Sequence, residues 1–152
     1  MISSPLFASV EVISLAGLTS GVLDITCTMT LNKFKGTAPA QTLQAIASGL
    51  LGPKSFDGGR STAALGLGIH FLIAVVAAAA FYIASRKVGV LLEYAVLCGL
   101  LYGIAVHLFM SLIVLPLSSL QRKYSGKFFA IQLVIHMFFV GLPISLIVRH
   151  FA

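Results

Sequence analysis

Four side chains could do chemistry in this chain: Asp24, His70, His107 and His136. Each lies in a long stretch with almost no other ionisable group, and each type can move a proton or hold a metal ion. An ionisable residue within an apolar segment is costly, faces a bundle interior or a wet cavity, and reads as functional by default. Imidazoles that meet across helices can ligate a haem iron or a metal ion, or pass protons. His70 and His136 as a facing pair would suit bis-histidine haem ligation. His70, His107 and His136 together with Asp24 would instead suit a zinc-like or other divalent metal. Asp24 alone suits a proton relay, with Ser20 and Thr28 one turn to either side as hydrogen-bond partners. The same residues also have a purely structural use, as neutral imidazoles and a carboxyl that hydrogen-bond between helices and hold their register.

Helices must position these groups. The chain has 152 residues, of which 59% are hydrophobic and 9% charged, against about 25% charged in an ordinary soluble domain. Crossing a hydrocarbon core of about 30 Å takes about 20 helical residues. Four runs, approximately 5–31, 62–84, 88–117 and 128–148, are long enough. Their apolar character is unbroken rather than alternating, which favours helices over a closed barrel. The expected fold is therefore all-α, an integral membrane four-helix bundle forming a single domain over residues 1–152. No Lys or Arg precedes the first run and Glu11 interrupts it early, so it reads as a retained helix rather than a cleaved leader. At about 1.5 Å per residue, Asp24, His70, His107 and His136 come out at similar heights. The first connection is patterned too: Pro39 opens a stripe of Ala40, Leu43, Ile46, Ala47 and Leu50 that Gly52-Pro53 ends. That predicts an interfacial amphipathic helix over 39–51, or a cap folded over the bundle mouth. Asp57-Gly58-Gly59 then turns the chain, and Ser61 or Thr62 can cap the second run. Pro116 and Pro143 read as kinks or stops rather than as chemistry.

An internal echo runs through the four segments. Glu11-Val-Ile-Ser-Leu-Ala-Gly17-Leu-Thr-Ser-Gly21 aligns with Glu93-Tyr-Ala-Val-Leu-Cys-Gly99-Leu-Leu-Tyr-Gly103, and Ala64 to His70 with Ala130 to His136. The echo predicts two pseudo-symmetric helical hairpins, a plan known among transporters. Gly17 and Gly21, like Gly99 and Gly103, then line smooth faces for close helix approach, and His107 and Ser111 continue the second stripe.

The net charge is +6, but the ten basic residues are spread over loops rather than along one element. This fits a lipid bilayer with anionic headgroups as partner, and no nucleic acid. Lys33, Lys35, Lys54, Arg60, Arg122, Lys123 and Lys127 fall in the first and third connections, against Arg86, Lys87 and Arg149 on the other side, so those connections are expected in the cytoplasm and both termini outside. Cys27 and Cys98 form neither a disulfide framework nor a zinc signature. No haem-attachment, zinc-protease or phosphate-loop motif is present.

Through Gly21-Val-Leu-Asp24-Ile, Ser48-Gly-Leu-Leu-Gly52, Thr62-Ala-Ala-Leu-Gly66 with His70-Phe71, Val114-Leu-Pro-Leu-Ser118, and Ile135-His-Met-Phe138 with Gly141-Leu-Pro143, the chain resembles a group of small, uncharacterised bacterial inner-membrane proteins with four spans. The resemblance implies a bacterial inner-membrane location and no particular activity. At the position of His107 that pattern carries an aromatic such as Tyr, a departure that weakens His107 as an obligatory ligand and leaves Asp24, His70 and His136. Three functions stay open at this level: a haem or metal protein, a proton-linked small-solute transporter acting as a homo-oligomer, and a structural or assembly subunit packed against a membrane-protein partner.

Overall fold

The computed structural model describes residues 5–119 and 125–151, and contains no strand among them. Five helices carry the chain: α1 (Pro5–Phe34), α2 (Pro39–Leu51), α3 (Gly59–Ser85), α4 (Ala95–Leu117) and α5 (Gly126–His150). All but α2 are long and apolar enough to cross a membrane. Their outward faces are apolar as well, with Leu72, Val76, Leu101 and Leu112 each more than half exposed.

The extensive interfaces are α1 with α3, α1 with α5, α4 with α5, and α2 with α3. Seen across the bundle, the order is therefore α3, α1, α5, α4. At the end where α3 turns back into α4, Val12, Ala16, Ala78, Phe81, Val140, Ile144 and Val148 form a tight core. There α4 also reaches α3: the Tyr102 hydroxyl donates to the Ala77 carbonyl at 2.7 Å, and its ring meets Phe81 edge-on, centroids 5.0 Å apart.

Three features differ from the sequence expectation for physical reasons. The third long helix starts at Ala95 rather than near 88, because Tyr94 leaves helical geometry (φ −107, ψ 46) after the single turn Val90–Glu93. α3 starts at Gly59, which adopts φ +58, a conformation that favours glycine. Thr62 is not its cap; its hydroxyl donates back to the Ser55 carbonyl at 2.6 Å, and Gln44 Nε2 donates to the Gly59 carbonyl at 3.0 Å. Finally, α4 and α5 each contain a wide, π-helical turn, Met110–Val114 and His136–Gly141. Each lies just before a proline, whose ring clashes with the carbonyl four residues back and which supplies no N–H; a widened turn absorbs both defects.

The helix over 39–51 forms as expected and is lashed across the bundle mouth. Asn32 Nδ2 donates to Thr42 Oγ1 at 3.2 Å from α1, and the Ser119 N–H donates to the Gly49 carbonyl at 2.9 Å from beyond α4. Against α3 the two backbones touch, since a Cβ on Gly66 would collide with the Leu43 carbonyl. The buried face is Thr42, Gln44, Ala47 and Ser48, whereas Ala40 and Leu50 are exposed. The apolar stripe is thus divided, with Ala47 buried, Leu43 and Ile46 half-buried and Ala40 and Leu50 outward, because the bundle mouth offers carbonyls and hydroxyls with which the polar side chains pair.

Candidate functional site

Residues four apart on α1 present one face to α3. Gly17 sits so close to Val75 that an added Cβ would fall 2.6 Å from its Cα, and Gly21 rests on the Phe71 ring and Ala74. The Gly21 carbonyl then accepts a hydrogen bond from His70 Nε2 at 2.9 Å. A carbonyl can only accept, so Nε2 carries the proton and the neutral ring keeps its lone pair on Nδ1. One turn on, Asp24 Oδ2 lies 4.0 Å from the same Nε2. Asp24 Oδ1 is buried without any hydrogen-bond partner. Ser20 does not supply one; its hydroxyl donates to the Gly17 carbonyl at 3.1 Å.

The α4 and α5 pair repeats this arrangement in outline. Gly99, Gly103 and His107 form one buried face of α4. Gly99 abuts Ser145 and Gly141, and Gly103 abuts the His136 carbonyl and Met137 Cα. The His107 ring lies 5.0 Å from that of His136 and 4.6 Å from that of Phe129, centroid to centroid. His136 Nδ1 donates to the Gln132 carbonyl at 2.8 Å. His107 is 5% exposed, and its Nε2 has no partner.

All four residues singled out in the sequence line one cavity of about 1230 Å³. Its lining comes from α1 and α5 through Asp24, Ile25, Gln132 and His136, from α3 through Ile69 and Ile73, from the wide turn of α4, and from α2 through Thr42 and Ser48. Leu72 and Ile113 belong to the lining yet are 64% and 47% exposed, so the mouth lies between α3 and α4. Lys35 stands at the rim, its Nζ 4.9 Å above the Phe128 ring.

The polar residues meet as two pairs, Asp24 with His70 and His107 with His136. His70 and His136 belong to different pairs, and among the described residues no three His, Cys, Asp or Glu side chains gather into a group that could hold a metal ion. The four-residue ligand set of Asp24, His70, His107 and His136 is therefore not assembled as one centre. Cys27 and Cys98 are free thiols on separate helices. The wide turns, which shape the α4 wall and begin at His136 in α5, were not anticipated, although Pro116 and Pro143 were their visible signal. Gln132 was also missed; its place one helical turn before His136 was the available clue. Arg122 and Lys123, on which the expected orientation partly rests, lie outside the described residues. No protein-family model, curated protein or solved structure matches the chain.

Proposed function

We propose that the chain is a multi-pass bacterial inner-membrane protein that binds an amphiphilic small molecule, its polar head against the Asp24/His70 and His107/His136 pairs and its tail along the apolar walls. A continuous apolar exterior of this kind suits lipid rather than water. Ligand sites are mostly apolar cavities of about 300–1,000 Å³ with a few placed polar groups, and this cavity has room for a head and a chain. The observation that carries the reading is that three buried polar atoms without partners, Asp24 Oδ1, His107 Nε2 and Gln132 Oε1, belong to residues lining this cavity. Each such atom costs about 1–3 kcal/mol when left unpaired, a cost that a bound head would offset.

The expected pair of pseudo-symmetric hairpins is supported by the helix contacts. The register that aligns Gly21 with Gly103 and His70 with His136 also carries Gly17 on Val75 onto Gly99 on Gly141, and Gly21 on Phe71 onto Gly103 on Met137. Under this reading α2 and the third connection face the cytoplasm.

Mass spectrometry of the contents extracted from protein purified in native-lipid particles tests the ligand reading. One class of amphiphile near one per chain is expected, and Ile73→Trp, which fills the cavity, should displace it. Bulk lipid alone in both samples would refute the reading. Proton-linked movement of a small solute is a second reading, favoured by the 4.0 Å approach of His70 to Asp24. Undiminished proteoliposome uptake by Asp24→Asn would remove it. A haem or divalent-metal role would require the two pairs to move together; an absorption spectrum with metal analysis of the purified protein tests it.

A further inference from the structure

We infer that the head group bound in this cavity is a cation, an ammonium borne on an apolar chain, with Asp24 as its counter-ion; the inference rests on the ligand-binding reading above. The chain has ten Lys and Arg residues against four acidic ones, yet no Lys or Arg is among the described residues that line the cavity. Three of the four acids, Glu11, Asp57 and Glu93, are exposed, and the fourth is Asp24. Among the described residues, this strongly basic chain thus lines the cavity with no Lys or Arg and with a single carboxyl group, that of Asp24.

That carboxylate is not satisfied by the protein. The proton on His70 Nε2 is committed to the Gly21 carbonyl at 2.9 Å, which leaves Asp24 Oδ2 at 4.0 Å without a true hydrogen bond. Oδ1 has no partner at all. An isolated carboxylate in an apolar site needs a donor or a counter-charge, and an ammonium supplies both. His107 Nε2, also unpartnered, adds an acceptor in the tautomer whose proton is on Nδ1. Phe109 and Phe129 line the same space and give apolar rings against which a cation or its chain can rest. An anionic head would meet Asp24 with no Lys or Arg among the described lining residues to pair it.

The test measures binding of dodecylamine, dodecanol and dodecanoate to the full chain in zwitterionic-lipid nanodiscs, with binding to empty nanodiscs subtracted. Dodecylamine is expected to bind at least about tenfold more tightly than either analogue, the factor that one charge-assisted hydrogen bond supplies. Asp24→Asn should bring the amine down to the affinity of the alcohol, and Asp24→Glu should keep the preference, which separates loss of charge from loss of fold. Ile73→Trp should abolish binding of all three. If dodecanol or dodecanoate binds as tightly as the amine and Ile73→Trp still abolishes binding, the cation inference falls and the cavity reading stands. If no probe binds above the empty nanodiscs, or Ile73→Trp changes nothing, both fall.

Discussion

Gly66 and Gly68 stand two residues apart in the middle of α3 and should respond oppositely to the same substitution. A methyl at Gly68 meets nothing within 4 Å, whereas a methyl at Gly66 would collide with the Leu43 carbonyl, lie 2.7 Å from the Leu43 carbonyl carbon and 3.2 Å from the Ala47 nitrogen. Carbon atoms rest at about 3.5–4.0 Å, so α2 must retreat by about 1 Å along its whole contact with α3. Replacing Gly by Ala within a helix contributes about 0.5–1 kcal/mol through the backbone, and this gain is common to both positions. The difference between Gly68→Ala and Gly66→Ala therefore isolates the collision. Forcing a methyl into a packed contact costs about 1–3 kcal/mol. Gly68→Ala should match or exceed the wild type in reversible unfolding in micelles, and Gly66→Ala should fall below Gly68→Ala by that amount. A cysteine cross-link between α2 and the end of α4, Gly49→Cys with Ser118→Cys, should form less readily in Gly66→Ala. Equal stability of the two variants, with the cross-link unaffected, would show that α2 is not seated on α3 at Gly66.

The two inter-helical glycine contacts should also differ in tolerance. Gly103→Ala drives a methyl into the His136 carbonyl and Met137 Cα, which are backbone, while Gly21→Ala meets the Phe71 ring at 2.8 Å, which can turn; unfolding should show a loss of about 1–3 kcal/mol for the first and a smaller one for the second. Tyr102→Phe keeps the ring against Phe81 and removes only the bond to the Ala77 carbonyl, so a loss of about 0.5–1.5 kcal/mol is expected by the same measurement.

The four long helices were legible because length and apolar composition alone decide them, and the helix over 39–51 because Pro39 and Gly52-Pro53 bracket an apolar stripe. The meeting of Asp24 with His70 was foreshadowed by equal depth, since helices of similar tilt bring residues at one height within reach. Depth carries no azimuth, however, and that is why the four polar residues could be expected in one layer but not seen to divide into two pairs. Which face of α2 meets the bundle was not legible for a related reason: apolar periodicity finds the side that avoids water, while Thr42, Gln44 and Ser48 turn inward toward the polar groups of the bundle mouth. Pro116 and Pro143 signal a disturbed helix locally, but whether a kink, a stop or a wide turn results depends on how neighbouring helices accommodate them, which is a tertiary choice.

The internal echo finally bears on why a cavity exists. Two equivalent hairpins would make the α3–α4 interface as close as the α1–α5 interface, yet only the second is extensive. In the aligned register Ser20 corresponds to Tyr102. Ser20 is small and fully buried, whereas the Tyr102 ring reaches across to Phe81 and Ala77 of α3. A side chain of that length standing between two helices sets their separation, and interaxial distances vary over about 8–10 Å with the residues at the contact. Tyr102 thus acts as a spacer that holds α4 off α3 and leaves the mouth between Leu72 and Ile113 open. Tyr102→Ser should let the helices close by about 2 Å, the width of that range. Spin labels at Leu72→Cys and Ile113→Cys, in a chain with Cys27→Ser and Cys98→Ser, would report the change as a shorter mean distance. Tyr102→Phe should leave the distance as it is, because the ring remains. An unchanged distance in Tyr102→Ser would mean that α2 and the wide turn of α4, rather than the tyrosine, keep the cavity open.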